Sequence, residues 1–540
     1  EFKLFELDVY KQNLDWPALH KAGQREAVYV PHYTIGEADF KLANLAFANV
    51  ENPHLAAAAK DLLKVADKFV LTNGTPIGQL GRLLKVFAVK KQIEDNYKLL
   101  SDKPKGLTYD RFLEEMEFFK LAKPTFKLNT NKVAKIDAVL KEQGLGFKIP
   151  KINYEADSGP LFDGKSNGSK IIAIIYLMET MLNDMETDVG MQRHMFNKLC
   201  KMKPKQEVYT KKETGWDQPF VEFNGEFEKY KTRNYYSFNS YALHPLQYVL
   251  QGTTDNAGFL SDSGSKSLLG SSMFKLQFMA VLTKLQTEFV RGTDINFAIF
   301  SDNIYLWCKY KGEYCLVSID GEKMEVSITD LEVEFAMEWM INQFEEVSDS
   351  WYRYVTTFIP SVTMTKCVAL LGTAQIRMKG MPSGVPYTAF MNTVKSARFM
   401  YNLVEAIRKR GGTFDLDEDK QLFKNIQAKV QVSLTIEQIT PQKQFEFSQA
   451  IVIPLDWLGF DGMPLRPFLP DEFMTQYPKM KDVVIPVLNR KRILKSMAFV
   501  KSKAKAGINA ILIVMKLRAL YLTGGWAYPS LSALILARIG

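Results

Sequence analysis

An α+β fold built around an antiparallel sheet is the class this sequence predicts, and three observations carry it. Short apolar runs separated by turn residues gather between Asn296 and Asp320, and helical patterns flank them on both sides. The length of 540 residues allows about three subdomains around a large core. The apolar fraction of 46% and the charged fraction of 24% are globular values. With 69 Lys and Arg against 60 Asp and Glu the net charge is +9, mild for this size, so an anionic partner has to be met by local patches.

Residues 1 to about 150 open as an extended arm with aromatics and prolines. Leu55 to Phe69 and Gln79 to Leu100 then carry the Ala, Leu and Lys content of amphipathic scaffold helices. A polar, Gly-rich stretch from Glu155 to Lys170 separates this part from an apolar helix, Ile171 to Met185. A second such stretch, Gln251 to Ser272, contains Asp262-Ser-Gly264-Ser-Lys266-Ser. It is not a phosphate loop: Gly258 lies too far before Gly264, Ser265 stands before the Lys, and no buried strand precedes it. A mobile surface loop is the expectation there.

The strand cluster comes next. Phe297 to Phe300 is β-rich, Ser301-Asp302-Asn303 supplies turn residues, and Ile304 to Cys308 resumes the strand composition, which predicts a hairpin with Asp302 at its tip. Glu313 to Ile319 reads as a third strand delivering Asp320 at its end. Carboxylates that converge repel each other unless a divalent cation neutralises them, and hard oxygen ligands suit Mg²⁺. The alternative is a pair of solvated turn residues.

Downstream, Thr329-x-x-Glu332 is a capping box that opens a helix predicted to run to about Val347, with Phe335, Trp339 and Phe344 among its apolar residues. Then Met378-Lys-Gly-Met-Pro-Ser383-Gly384 forms a loop leading into a long helix that ends before Gly411-Gly412. Thr388 and Asn392 stand one turn apart on that helix, on the same side, just above a Ser-Gly loop able to approach a ligand closely. From Arg490 to Lys505 the chain carries Arg490, Lys491, Arg492, Lys495, Lys501, Lys503 and Lys505 with no acidic residue. That density suits a phosphate backbone, or else an exposed surface serving solubility.

Cys200, Cys308, Cys315 and Cys367 show no C-x-x-C spacing, and the five histidines form no zinc motif, so reduced core thiols in a cytosolic protein are expected and soft-metal chemistry is not. No signal peptide is recognisable, and the apolar runs Ile171 to Leu177 and Ile508 to Met515 are too short to span a bilayer, so a soluble protein is expected. Position 1 is Glu rather than Met, so the sequence reads as starting inside a longer chain.

Taken together, an Asp hairpin, an acidic strand end and Ser-Gly-x3-Thr-x3-Asn resemble the three palm motifs of viral RNA-dependent RNA polymerases, conventionally C, A and B. Most such enzymes order them A, B, C, whereas here the order is Ser301-Asp302-Asn303, then Ser318 to Glu325, then Ser383-Gly384. The C-A-B order and the Asp-Asn hairpin are similar to those of the birnavirus and permutotetravirus polymerases. Lys231-Thr-Arg-Asn234, Leu455-Asp-Trp-Leu-Gly459 and Leu522-Thr-Gly-Gly-Trp-Ala-Tyr-Pro529 extend the resemblance over roughly residues 225 to 530. Ser301, where the birnavirus pattern has Ala, and a divergent N-terminal third favour a permutotetravirus, such as Thosea asigna virus.

The resemblance implies a right-hand fold of fingers, palm and thumb. Residues 1–150 would be an N-terminal arm and helical region, and 151–290 the fingers with motif F near 229–234. Residues 291–460 would be the palm with inserted fingers elements (C 301–303, A 318–325, B 381–393, D about 414–432, E about 455–460), and 461–540 the thumb. It implies nucleotidyl transfer with two ions, Mg²⁺ or Mn²⁺, on Asp302 and Asp320, with Asn303 standing where Gly-Asp-Asp enzymes have a second acid. Lys231 and Arg233 would meet the triphosphate, Ser383 and Gly384 would line the nucleotide site, Glu325, Thr388 and Asn392 would read the ribose, and the 490–505 region would hold RNA template and product. Protein priming, with a covalent link to the RNA 5′ end, and a replication complex in the host-cell cytoplasm, or the virion, are further implications. Two rivals stand beside this reading: a reverse transcriptase, which Asn392 argues against, and a catalytically silent palm used for RNA binding or packaging, for which Asn303 could be offered.

Overall fold

The computed structural model describes residues 33–34, 106–144, 157–162, 167–205, 233–254, 265–269, 295–370, 374–440, 445–447, 450–454, 484–488, 499–500 and 506–527, with isolated positions beyond. The helices expected at 55–69 and 79–100, Lys231, the side chain of Arg233, the 455–460 motif and the basic residues between Arg490 and Lys505 lie outside the described residues.

Helix α1 (Tyr109–Glu115) precedes α2 (Asn167–Asp184), strands β1 (Leu199–Lys205) and β2 (Arg233–Ser237), and α3 (Ser240–Thr253). The expected strand cluster follows as β3 (Ile295–Phe300), β4 (Asn303–Tyr310) and β5 (Glu313–Glu322). Next come α4 (Met324–Ser327), α5 (Asp330–Ile341), β6 (Thr365–Leu370), β7 (Ala374–Lys379), the long α6 (Thr388–Lys409), α7 (Lys420–Val430) and β8 (Ser433–Thr440).

Two four-stranded sheets frame the region of interest. One is antiparallel throughout, in the order β3-β4-β5-β8. The other runs β2-β1-β6-β7, with β1 and β6 parallel and the remaining pairs antiparallel. Side chains alternate across the first sheet, so Ile304, Leu306 and Cys308 of β4 enter the helix-packed core while Asn303, Tyr305 and Trp307 share the opposite face. Asp320 and Ser318 of β5 lie directly across from Asn303 and Tyr305. The face that carries Asn303 and Asp320 and the core face are therefore assigned by a single parity, and a one-residue slip would exchange them.

The helical side of the core joins distant segments. Phe112 and Phe119 meet Trp339, and Phe119 also meets Phe390. Beneath them lies a buried charge network: Lys395 Nζ donates to both oxygens of Glu332 at 2.8 and 3.0 Å, and Arg398 bonds Glu332 and Glu115. Asn402 Nδ2 donates to Glu115 Oε1 at 2.8 Å, and Arg111 reaches Glu405 at 2.7 Å, so α1 is tied to α6 along its length. That Arg111 guanidinium pulls the Glu405 carboxyl down to about 2.

Three expectations need correction. The helix opened by Thr329 and Glu332 has its full capping box but ends at Ile341, not near Val347. Residues 346–348 are drawn out instead by Leu128, whose N–H donates to the Glu346 carbonyl and whose carbonyl accepts from Ser348 N–H, each at 2.8 Å. Tertiary pairing overrides helix propensity there. The stretch from Gln251 to Ser272 is not a surface loop where it is described: α3 runs to Thr253, and Ser265, Ser267 and Leu268 are buried. The cause is an edge. Strand β3 borders the sheet, and its outward groups at Ile299 are met by the Lys266 carbonyl at 2.9 Å and by Leu268 N–H at 2.8 Å. Finally, Asp320 does not end its strand, because β8 pairs with β5 through Glu322. The four cysteines are free and buried, as expected, with Cys308 and Cys315 facing each other across the ladder as thiols. Among the described residues no helix is long and apolar enough to cross a membrane.

Candidate active site

The hairpin between β3 and β4 closes with Phe300 opposite Asn303, leaving Ser301 and Asp302 as a two-residue loop. Ser301 sits at φ 58°, in the left-handed region that a non-Gly residue rarely adopts. Helix α6 holds it there. Asn392 Nδ2 donates to Ser301 Oγ at 3.3 Å, and Ser396 Oγ donates to the Ser301 carbonyl at 3.0 Å. These two contacts offset the cost of the left-handed conformation at Ser301.

Across the ladder, Asn303 Nδ2 donates to Asp320 Oδ1 at 2.8 Å, and Gly321 N–H donates to the Asp302 carbonyl at 2.9 Å. The strands thus bring Asp302 and Asp320 together at one end of the sheet, both half-buried. Among the described residues no group of three or more His, Cys, Asp or Glu gathers as a metal cage. The donor set is two carboxylates with hard oxygens, so the residues fit a divalent hard cation shared with a substrate.

The Ser-Gly loop is brought to the same end. Glu325 accepts a hydrogen bond from the Ser383 hydroxyl, and its carbonyl accepts from Met381 N–H at 3.0 Å. On the other side Tyr236 N–H donates to the Ser383 carbonyl at 2.9 Å. Gly384, at φ 98°, is exposed, and a Cβ there would come within 3.0 Å of the Tyr236 carbonyl, so only glycine fits the close approach of β2. The Thr388 hydroxyl donates to the Val385 carbonyl at 2.9 Å, fastening the loop to the start of α6. Asn392 is 8% exposed, and its Oδ1 is buried with no hydrogen-bond partner, an acceptor awaiting a donor. Strand β2 begins at Arg233, three residues before the Tyr236 N–H that meets the loop.

Sequence reasoning missed two residues at this end of the sheet and a third at the far end of the β4–β5 hairpin. Ser396 continues the Thr388-Asn392 face by one more turn, a spacing that could have found it. Lys366 stands alone in the apolar run of β6 and is buried, with Nζ donating to the Gly380 carbonyl at 2.6 Å. Asp415 accepts from Gly312 N–H at 2.7 Å and Lys311 N–H at 3.1 Å, clamping the turn between β4 and β5. Burial works against the Asp415 charge, yet its backbone N–H partners together hold the carboxyl below its ordinary range.

Residues 224–444 match the family described as the permutotetravirus RNA-dependent RNA polymerase palm domain. The RNA-directed RNA polymerase of avian infectious bursal disease virus (strain Chicken/Cuba/Soroa/1998) is 23% identical over 422 residues, 71% of this chain and 44% of that protein. Its counterpart from Blotched snakehead virus is 22% identical over 435 residues, 73% of this chain and 46% of that protein. The chain therefore spans a little under half the length of these curated relatives. Among solved structures, the RNA polymerase VP1 from Infectious Pancreatic Necrosis Virus superposes with a TM-score of 0.62 at 17% identity, covering 88% of this chain and 66% of that one. The birnavirus VP1-VP3 complex gives a TM-score of 0.61 at 17% identity, with the same coverage.

Proposed function

We propose that this chain, a permuted-palm relative of the viral RNA-dependent RNA polymerases with their right-hand fold, copies RNA by nucleotidyl transfer at the Asp302–Asp320 site. The observation that supports the reading is the pairing of Asn303 with Asp320, together with the Gly321 N–H bond to the Asp302 carbonyl, which brings the two acidic positions to one end of the sheet although their motifs occur in permuted order. A sheet assembles residues by strand adjacency rather than by chain order, so moving the hairpin ahead of its neighbour strand preserves the site if the connections are rerouted.

Asp302 and Asp320 would hold two divalent ions, Mg²⁺ or Mn²⁺, which when bound lower the pKa of the primer 3′-hydroxyl and stabilise the leaving pyrophosphate. The chain's own residues do the positioning. Asn303 steers Asp320 by donating to its Oδ1 and carries no charge of its own, so the site holds one fewer negative charge than it would with an acid at position 303. Asn392 offers the buried Oδ1 acceptor that a ribose 2′-hydroxyl can satisfy, and DNA lacks that donor. Glu325 orders Ser383 and so shapes the same pocket from the loop side. Lys231 and Arg233 would meet the triphosphate, and the basic 490–505 stretch would track template and product backbone. Protein priming and a place in a cytoplasmic replication complex complete the proposal.

The test is template-directed incorporation with each nucleotide in Mg²⁺ or Mn²⁺, followed by a check for label on the protein. Templated ribonucleotide incorporation supports the reading. RNA binding without any synthesis would support a silent packaging module instead.

A further inference from the structure

The Ser-Gly loop is gripped from behind by a charge that the mechanism does not use. Lys366 is 1% exposed, on β6 of the second sheet. Its Nζ donates to the Gly380 carbonyl at 2.6 Å and to the Thr363 carbonyl at 3.4 Å, and it lies 5.0 Å from the centroid of the Tyr236 ring. Among the described residues no carboxylate forms an ion pair with it. Burying an ammonium on carbonyls and a ring face is unfavourable beside an apolar side chain of similar length, so nothing about folding alone calls for lysine here.

What Lys366 touches is more telling. The loop from Gly380 to Gly384 is fixed at four points: the Gly380 carbonyl by Lys366, Met381 N–H by the Glu325 carbonyl, the Ser383 hydroxyl by the Glu325 carboxylate, and the Ser383 carbonyl by Tyr236 N–H. Lys366 makes the first contact itself, packs on the ring of the residue that makes the fourth, and attracts the carboxylate that makes the third. We propose that Lys366 is a positioning residue that couples the second sheet to the Ser383-Gly384 loop and so sets the affinity of the nucleotide site. The proposal rests on the polymerase reading above.

Its charge is conditional. Burial lowers the Lys366 pKa to about 8, opposed by the carboxylates of Glu325 of α4 and Asp330 of α5. Tyr236 of β2 presents its ring, and Tyr387 before α6 donates its hydroxyl to Thr363 Oγ1. Burial pushes the Cys200 thiol and the Tyr387 hydroxyl well upward, so both stay neutral while Lys366 titrates. As pH rises through about 8 the ammonium loses its charge, and its hold on Gly380 falls from a charge-assisted to a neutral hydrogen bond.

Steady-state single-nucleotide incorporation on a primed RNA template tests this with wild type, Lys366→Met and Tyr236→Leu. Lys366→Met is expected to raise the nucleotide KM about tenfold, the worth of one charge-assisted hydrogen bond, while kcat stays within about threefold because Asp302 and Asp320 stand on the other sheet. Wild-type KM is expected to climb between about pH 7 and 9, and the Met variant to lack that climb. Tyr236→Leu keeps the backbone N–H and removes the ring, so it should raise KM in the same direction; it decides the matter with the wild-type pH profile if Lys366→Met does not fold. A folded Lys366→Met enzyme with wild-type KM and wild-type pH dependence overturns the proposal. So does a flat wild-type KM profile together with an unaffected Tyr236→Leu. A wild-type protein that incorporates nothing fails the polymerase reading itself, a different result from an active enzyme indifferent to position 366.

Discussion

Replacing Glu332 by Gln tests how the helix carrying Asn392 is held in place. Glu332, Lys395, Arg398 and Glu115 have side chains no more than 4% exposed, and their formal charges, two of each sign, cancel. Gln keeps an oxygen for Thr329 N–H, which Glu332 Oε2 accepts at 2.8 Å, so the capping of α5 survives. The substitution instead takes from Lys395 and Arg398 the carboxylate both bind and leaves them Glu115 alone, while burial, which already lowers the Lys395 pKa to about 7, presses that ammonium toward its neutral form. Breaking a buried pair in this way costs about 3–5 kcal/mol. At about 1.4 kcal/mol per decade, hydrogen-exchange protection of the α6 amides should fall by two to three and a half orders of magnitude. Lys395→Met alone unbalances the network in the opposite sense and should also destabilise it. The double variant Glu332→Gln with Lys395→Met leaves Arg398 and Glu115 as a balanced pair and should recover more than half of the protection lost by Glu332→Gln. Additive losses in the double variant, or less than a tenfold loss in Glu332→Gln, would refute the claim that charge balance holds α6 against α1 and α5.

Further outcomes follow from the site. Asp302→Asn and Asp320→Asn should each abolish nucleotide incorporation while leaving thermal melting unchanged; substantial synthesis by either purified variant would contradict their assignment. Asn392→Ala should lower the preference for ribonucleotides over deoxyribonucleotides by about tenfold, the value of one hydrogen bond to a buried acceptor, and a competition assay with unchanged discrimination would remove Asn392 from ribose reading. Asp415→Asn should cost about 1–3 kcal/mol by weakening bonds that a charged acceptor receives from the β4–β5 turn. Because the folded-state pKa of Asp415 is depressed, its contribution is present above the ordinary carboxylate range and is lost as pH falls through that range and below. Acid titration of wild type against Asp415→Asn should therefore show the two stabilities converging at low pH, and a constant gap would argue against the charge.

Strong local signals survived into the structure. The hairpin was legible because turn residues interrupt two β-rich runs, and it closes where the composition said, around Ser301 and Asp302. The capping box at Thr329 was legible for the same reason, since its donors and acceptors lie three residues apart. Where partners come from far along the chain, the sequence was silent or misleading. Residues 265–269 read as a polar loop because nothing local shows that β3 needs an edge partner. The helix read on to about Val347 because nothing local points to Leu128.

By itself the sequence determined the chemistry of the site: which residues bear carboxylates, a neutral amide and a Ser-Gly turn, and in what permuted order they occur. Those are properties of side chains and of short-range backbone preference, written residue by residue. Only the tertiary structure decided that Asn303 binds Asp320 across a ladder, that Asn392 and Ser396 hold Ser301, and that a buried lysine on a second sheet binds the Gly380 carbonyl beside the Ser383-Gly384 turn. Such contacts depend on which strands become neighbours, and that is settled by the burial and hydrogen-bond satisfaction of the whole core rather than by any one segment.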